Sequence, residues 1–203
     1  MKFYPVYFVI ATVTVFSPGP GVVMTLTNSL HYGLKGAFGG ILGISFGALI
    51  IAAVSATSLG VVLASSTLAF TILKCIGAAY LAYLGFRLWR APTFQFKEQT
   101  ASKSGFRRNF FKGMTLQFTN PKAIFFFLSV LPQFIDCELN FAVQFSLMGM
   151  TYSLLIIVIH GLYALGAQHT RPWLTSETGG DAINRLGGAI FMVFGVLLAV
   201  SSR

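Results

Sequence analysis

Apolar residues run along this chain in long, nearly continuous stretches separated by short polar connections. The stretches Phe3 to Leu26, Ala37 to Leu63, Leu68 to Trp89, Gly113 to Phe134, Phe141 to Ala167 and Ile183 to Val200 each approach or exceed the ~20 residues that carry an α-helix across about 30 Å of hydrocarbon. They predict an all-α membrane protein of six transmembrane helices in a single domain, 1–203, with almost nothing outside the bilayer.

Two of these stretches are interrupted. Phe16-Ser17-Pro18-Gly19-Pro20-Gly21 lies near the end of the first and Phe118-Thr119-Asn120-Pro121-Lys122-Ala123 near the opening of the fourth. An unpaired backbone group in hydrocarbon costs several kcal/mol, so a broken helix belongs where its freed groups face protein, water or a solute. Proline has no amide hydrogen, so Pro18 frees the carbonyl of Thr14, Pro20 that of Phe16 and Pro121 that of Gln117. Gly19 and Gly21 let the backbone turn and let a ligand come close. After each break a new half-helix starts, whose amides and positive dipole end favour a carboxylate, while the freed carbonyls suit an ammonium. One small zwitterion fits both ends of this device; a plain proline kink for helix packing is the alternative.

The halves of the chain also match in order. Phe16-Ser17 pairs with Phe118-Thr119, Leu49-Ile50-Ile51 with Leu155-Ile156-Ile157, and Gly77-Ala78 and Gly85 with Gly187-Gly188 and Gly195. Three helices per half is an odd number, so the expected architecture is two inverted three-helix repeats, about 1–90 and 113–203, with helices one and four broken.

Charge sets the orientation. Hydrophobic residues make up 55% of the chain and charged residues 9%, with a net charge of +9, and the bases crowd into the connection 90–112 together with Arg87. Such a cluster marks a cytoplasmic loop and leaves both termini outside. A basic loop between spans lacks a nucleic-acid reading module, so no nucleic-acid partner is expected. The partners expected are the lipid bilayer and a small solute. Cys75 and Cys137 make no disulfide or metal framework, and no cofactor is expected. No nucleophile with a base and an orienting partner is present, which excludes a hydrolase.

Ser17-Pro18-Gly19-Pro20-Gly21, Gly77-Ala78-Ala79-Tyr80-Leu81-Ala82-Tyr83-Leu84-Gly85, Asn120-Pro121-Lys122-Ala123 and Leu131-Pro132-Gln133-Phe134 resemble the LysE/RhtB amino-acid exporter family over almost the whole chain. The resemblance implies a bacterial inner-membrane exporter of amino acids driven by the proton or membrane potential. It also implies a substrate site at Ser17, Pro18, Gly19, Pro20, Gly21, Asn120, Pro121 and Lys122, with Thr14, Phe16 and Thr119 beside them.

One departure narrows the substrate. Many relatives carry an acid inside helix two or five, whereas all five acids here, Glu98, Asp136, Glu138, Glu177 and Asp181, lie in loops or at helix ends. A second positive charge on the substrate finds no buried carboxylate to offset its transfer, so neutral amino acids are expected. Lys122 either pairs with the substrate carboxylate or caps freed carbonyls. His160, in the middle of helix five, is the candidate for proton coupling, since an unperturbed imidazole titrates near pH 6.5; a packing role is the alternative. The glycines of helices two, three and six suit close helix packing and offer a face for a homodimer.

Overall fold

The computed structural model describes residues 1, 4–17, 19–65, 67–92, 105–136, 138–167 and 176–200. Among these residues are seven α-helices and no strand: α1 (Tyr4–Phe16), α2 (Pro20–Ser65), α3 (Thr67–Trp89), α4 (Phe106–Phe118), α5 (Pro121–Phe125), α6 (Phe141–Leu165) and α7 (Glu177–Val200). A π-helical turn (Phe126–Val130) and a 3-10 turn (Leu131–Phe134) extend α5. Pro18 and residues 93–104, which include Lys97, Glu98 and Lys103, lie outside the described residues, as do Cys137 and Arg171.

Gly33 decides how α2 is used. Its φ of 65° and ψ of −173° break the helical run, a conformation that glycine adopts without the penalty a Cβ would bring. The arms on either side fold back on each other. A Cβ on Gly40 would lie 2.9 Å from Asn28 Nδ2 and 3.1 Å from Met24 Cε, and one on Gly21 would lie 3.5 Å from Ile44 Cδ1. Among the described residues, three helical runs are long and apolar enough to cross a membrane: Pro20–Thr57, Phe141–Leu165 and Thr178–Leu197. The first is not one crossing, because it reverses at Gly33; its second arm, residues 34–57, is still about 36 Å long at 1.5 Å per residue.

The breaks fall elsewhere within their helical runs than the apolar stretches suggest. The first arm of α2 continues to Tyr32, well past Leu26, and α4 begins at Phe106 rather than Gly113. Each break therefore sits in the middle of a longer run, between two short apolar helices, Tyr4–Phe16 and Pro121–Phe134, and a partner of about thirteen residues. Polar residues concealed these extensions. Asn28 and Asn109 are buried, and Arg107, Arg108 and Lys112, expected in the connecting loop, stand on the exposed face of α4.

Small residues set the packing. Asn109, Gly113 and Gln117 form the buried stripe of amphipathic α4 and meet the glycines of the second arm of α2: a Cβ on Gly43 would overlap the Phe110 carbonyl, one on Gly113 the Gly40 carbonyl, and Asn109 Nδ2 donates to the Gly36 carbonyl at 3.0 Å. Helices α3 and α7 approach through Gly85 and Gly188, where a Cβ on either would lie 2.7 Å from the other's carbonyl oxygen, and through Gly195 against Ala78. With no hydrophobic drive between helices in lipid, such backbone approach supplies the dispersion that holds them. Helix α1 instead packs on α6, where the Tyr7 hydroxyl donates to the Met148 carbonyl at 2.6 Å. Phe126, Phe127 and Tyr152 complete an aromatic core around Tyr7.

Candidate functional site

The two breaks meet. Asn120 ends the α4 run with extended backbone and caps α5, its Oδ1 accepting the Lys122 amide at 3.1 Å, as an asparagine ahead of a helix start does. That cap aims the Lys122 side chain at the end of α1. There Nζ donates to the carbonyl of Thr14 at 2.8 Å and that of Ser17 at 3.1 Å, and lies 3.0 Å from Ser17 Oγ. The Thr14 carbonyl stands four residues before Pro18 and so loses its usual helical donor. The other carbonyl freed in this break, that of Phe16, accepts the Tyr163 hydroxyl at 3.0 Å. The Gln117 carbonyl, freed by Pro121, accepts the Asn120 amide at 3.1 Å. Each freed carbonyl therefore has a new donor, as burial in an apolar setting requires.

Beside the Lys122 ammonium is a partly open cavity of about 20 Å³, room for a single water and too small for an amino acid. Gly19, Gly21 and Val22 bound it from the first break, Gln117, Asn120 and Lys122 from the second, and Ile44, Tyr152, Ile156 and His160 close it. Pro20 opens α2, so the Gly21 and Val22 amides belong to a first helical turn, which offers them no helical acceptor. His160 is buried, with Nδ1 2.9 Å from Thr25 Oγ1. Among the described residues no three His, Cys, Asp or Glu side chains gather as a metal site would require.

The expected site residues divide into two groups. Thr14, Ser17, Gly19, Gly21, Asn120, Lys122 and His160 converge on the cavity or on the ammonium beside it. Phe16, Pro20, Thr119 and Pro121 are exposed: the Phe16 ring lies against Tyr163 at 5.5 Å between centroids, and the Thr119 hydroxyl bonds back to the Thr115 and Leu116 carbonyls. Thr25 and Ile44 were not among the sequence candidates, whereas Tyr152 stood among the tyrosines able to line a cavity and Gln117 was marked by the carbonyl that Pro121 frees. Of the two missed, Thr25 carried a signal, since it stands one helical turn after Gly21 and thus on the same face.

The profile of the LysE type translocator family matches residues 12–202. The chain is 34% identical over 193 residues to a homoserine/homoserine lactone efflux protein of Salmonella typhimurium, covering 95% of this chain and 94% of that one. It is 30% identical over 199 residues to a leucine efflux protein of Salmonella typhimurium, covering 97% and 94%. An uncharacterized membrane protein of Vibrio cholerae is 36% identical over 199 residues, covering 96% and 95%. No solved structure matches the chain.

Proposed function

Because the chain belongs to the LysE type translocator family, we propose that this membrane protein exports small neutral amino acids across the bacterial inner membrane by alternating access, driven by the proton or membrane potential. The observation that carries the proposal is the cavity bounded by both breaks at once. Carbonyls that have lost their helical donors favour an ammonium, and the amides that open α2 favour a carboxylate. Substrates carrying a further positive charge are disfavoured, since Lys122 already lines the cavity and no carboxylate among the described residues does.

The names of the relatives support the ammonium half of this chemistry. Homoserine and leucine are neutral zwitterions, and homoserine lactone keeps the amino group of homoserine without its free carboxylate. The amino group is the feature common to all three.

On this reading the fold is two inverted three-helix repeats, with α1 and the first arm of α2 forming broken span one, and α4 with the run to Phe134 forming broken span four. The packing supports it by exchange. Span one lies on α6 while span four lies on the second arm of α2, and the Ala78–Gly195 approach is matched by the Gly188–Gly85 approach with the repeat positions interchanged. The Arg107, Arg108 and Lys112 face then lies on the cytoplasmic side, with both termini outside. Vesicles containing the purified protein and preloaded with labelled amino acids test the function. Neutral amino acids are expected to leave faster than from protein-free vesicles, and failure to move any amino acid under an imposed proton or potential gradient refutes the proposal.

A further inference from the structure

We infer that the Lys122 ammonium occupies, in the substrate-free protein, the seat that the substrate's own ammonium takes during transport, and that once displaced it meets the substrate's carboxylate. This inference deepens the transport reading above and rests on it.

A lysine side chain and an α-amino acid present the same group, a tetrahedral –NH₃⁺ with three N–H donors. The three acceptors around Lys122 Nζ, at 2.8, 3.1 and 3.0 Å, all come from the end of α1. Thr14 and Ser17 are 2% and 3% exposed, so the seat is withdrawn from water; the Thr14 carbonyl also accepts the Ser17 hydroxyl at 3.2 Å, and the remaining acceptor capacity of the seat is left to an ammonium. The lysine also blocks the space. A Cβ on Gly19 would lie 3.3 Å from Nζ, and the adjoining cavity of about 20 Å³ takes no amino acid until the side chain withdraws. Withdrawal opens the seat and the volume together, and it frees an ammonium at the wall where a bound zwitterion would present its carboxylate. The seat selects for the three N–H donors of a primary ammonium, not for positive charge alone.

The wild-type protein in vesicles tests the seat, with a transported neutral amino acid challenged by its N-methyl, N,N-dimethyl and N,N,N-trimethyl derivatives. Each lost N–H is expected to weaken competition by about tenfold, the scale of a hydrogen bond from a charged donor. The trimethyl form should not compete. Equal competition across the series overturns the inference while leaving amino-acid export intact; failure to export any amino acid removes the transport reading and this inference with it. The role of Lys122 is tested by the preference for an amino acid over its decarboxylated amine, measured as a ratio in wild type and in Lys122→Met. The preference is expected to collapse by about tenfold or more in the variant. An unchanged ratio, with both compounds falling together, would show that Lys122 only caps carbonyls. If Lys122→Met does not fold, the methylation series still decides whether the seat takes the substrate's ammonium, and the same ratio measured in Lys122→Gln decides the role of Lys122.

Discussion

Ser45 and Ser153 bond to each other reciprocally: each hydroxyl reaches the other's main-chain carbonyl, at 3.2 and 3.3 Å, and the two side-chain oxygens touch. The exchange ties the second arm of α2 to α6, the two helices that the repeat match makes equivalent, although that match sets Ser45 opposite Thr151 and not Ser153. The bonds form where the two proposed repeats meet. Hydrogen bonds between helices in lipid average about 0.6 kcal/mol, so Ser45→Ala and Ser153→Ala are each expected to destabilise by about that much. The double variant should lose less than the sum, because both singles break the same pair. Unfolding in detergent measures this, and strict additivity would mean that the serines do not act together.

Gly43 and Gly161 form a matched test of packing. A Cβ on Gly43 overlaps the Phe110 carbonyl, whereas Gly161 has nothing within 4 Å of that position. Gly43→Ala is expected to lower stability by about 1–3 kcal/mol, the range for forced overpacking. Gly161→Ala should leave stability unchanged or raise it by up to ~1 kcal/mol through helix propensity. The same unfolding measurement compares them.

Tyr163→Phe keeps the ring against Phe16 and removes the hydroxyl that serves the freed Phe16 carbonyl. A loss of about 1–3 kcal/mol is expected, because the carbonyl keeps its desolvation penalty without its donor. Thermal denaturation of the purified variant gives the value, and full retention of stability would mean that water replaces the hydroxyl.

Gly21 sits at the cavity wall, where an added Cβ would lie 3.1 Å from His160 Cε1 and 3.5 Å from Ile44 Cδ1. Gly21→Val fills the space between the two breaks. Efflux is expected to fall by at least about tenfold while the protein remains folded, with a stability change inside the ~1–3 kcal/mol of overpacking. Wild-type efflux from this variant would place the substrate elsewhere.

His160 lines the cavity with Nδ1 engaged by Thr25; its titratable neighbours are Lys122, Tyr152 and Tyr163. No carboxylate among the described cavity-lining residues stands ready to pass it a proton. His160→Gln is therefore expected to keep the pH profile of efflux across about pH 5–8, the range where an imidazole commonly titrates, and to lose stability. A flattened profile would instead make His160 the proton carrier.

The sequence by itself determined that the chain is helical and belongs in a membrane, and that its helical runs break at Ser17–Gly21 and Asn120–Pro121. Those properties are local. Apolar length sets what can cross hydrocarbon, and proline's missing amide sets where a helix fails. Only the tertiary structure decided how far each helical run extends, because the burial of Asn28 and Asn109 and the reversal at Gly33 depend on what packs against them. It also decided which donor reaches the first break, placing the Lys122 ammonium on the carbonyls of Thr14 and Ser17, more than one hundred positions away in the chain. A freed carbonyl announces from sequence that it needs a donor, but which donor reaches it is settled by long-range geometry that no local pattern encodes.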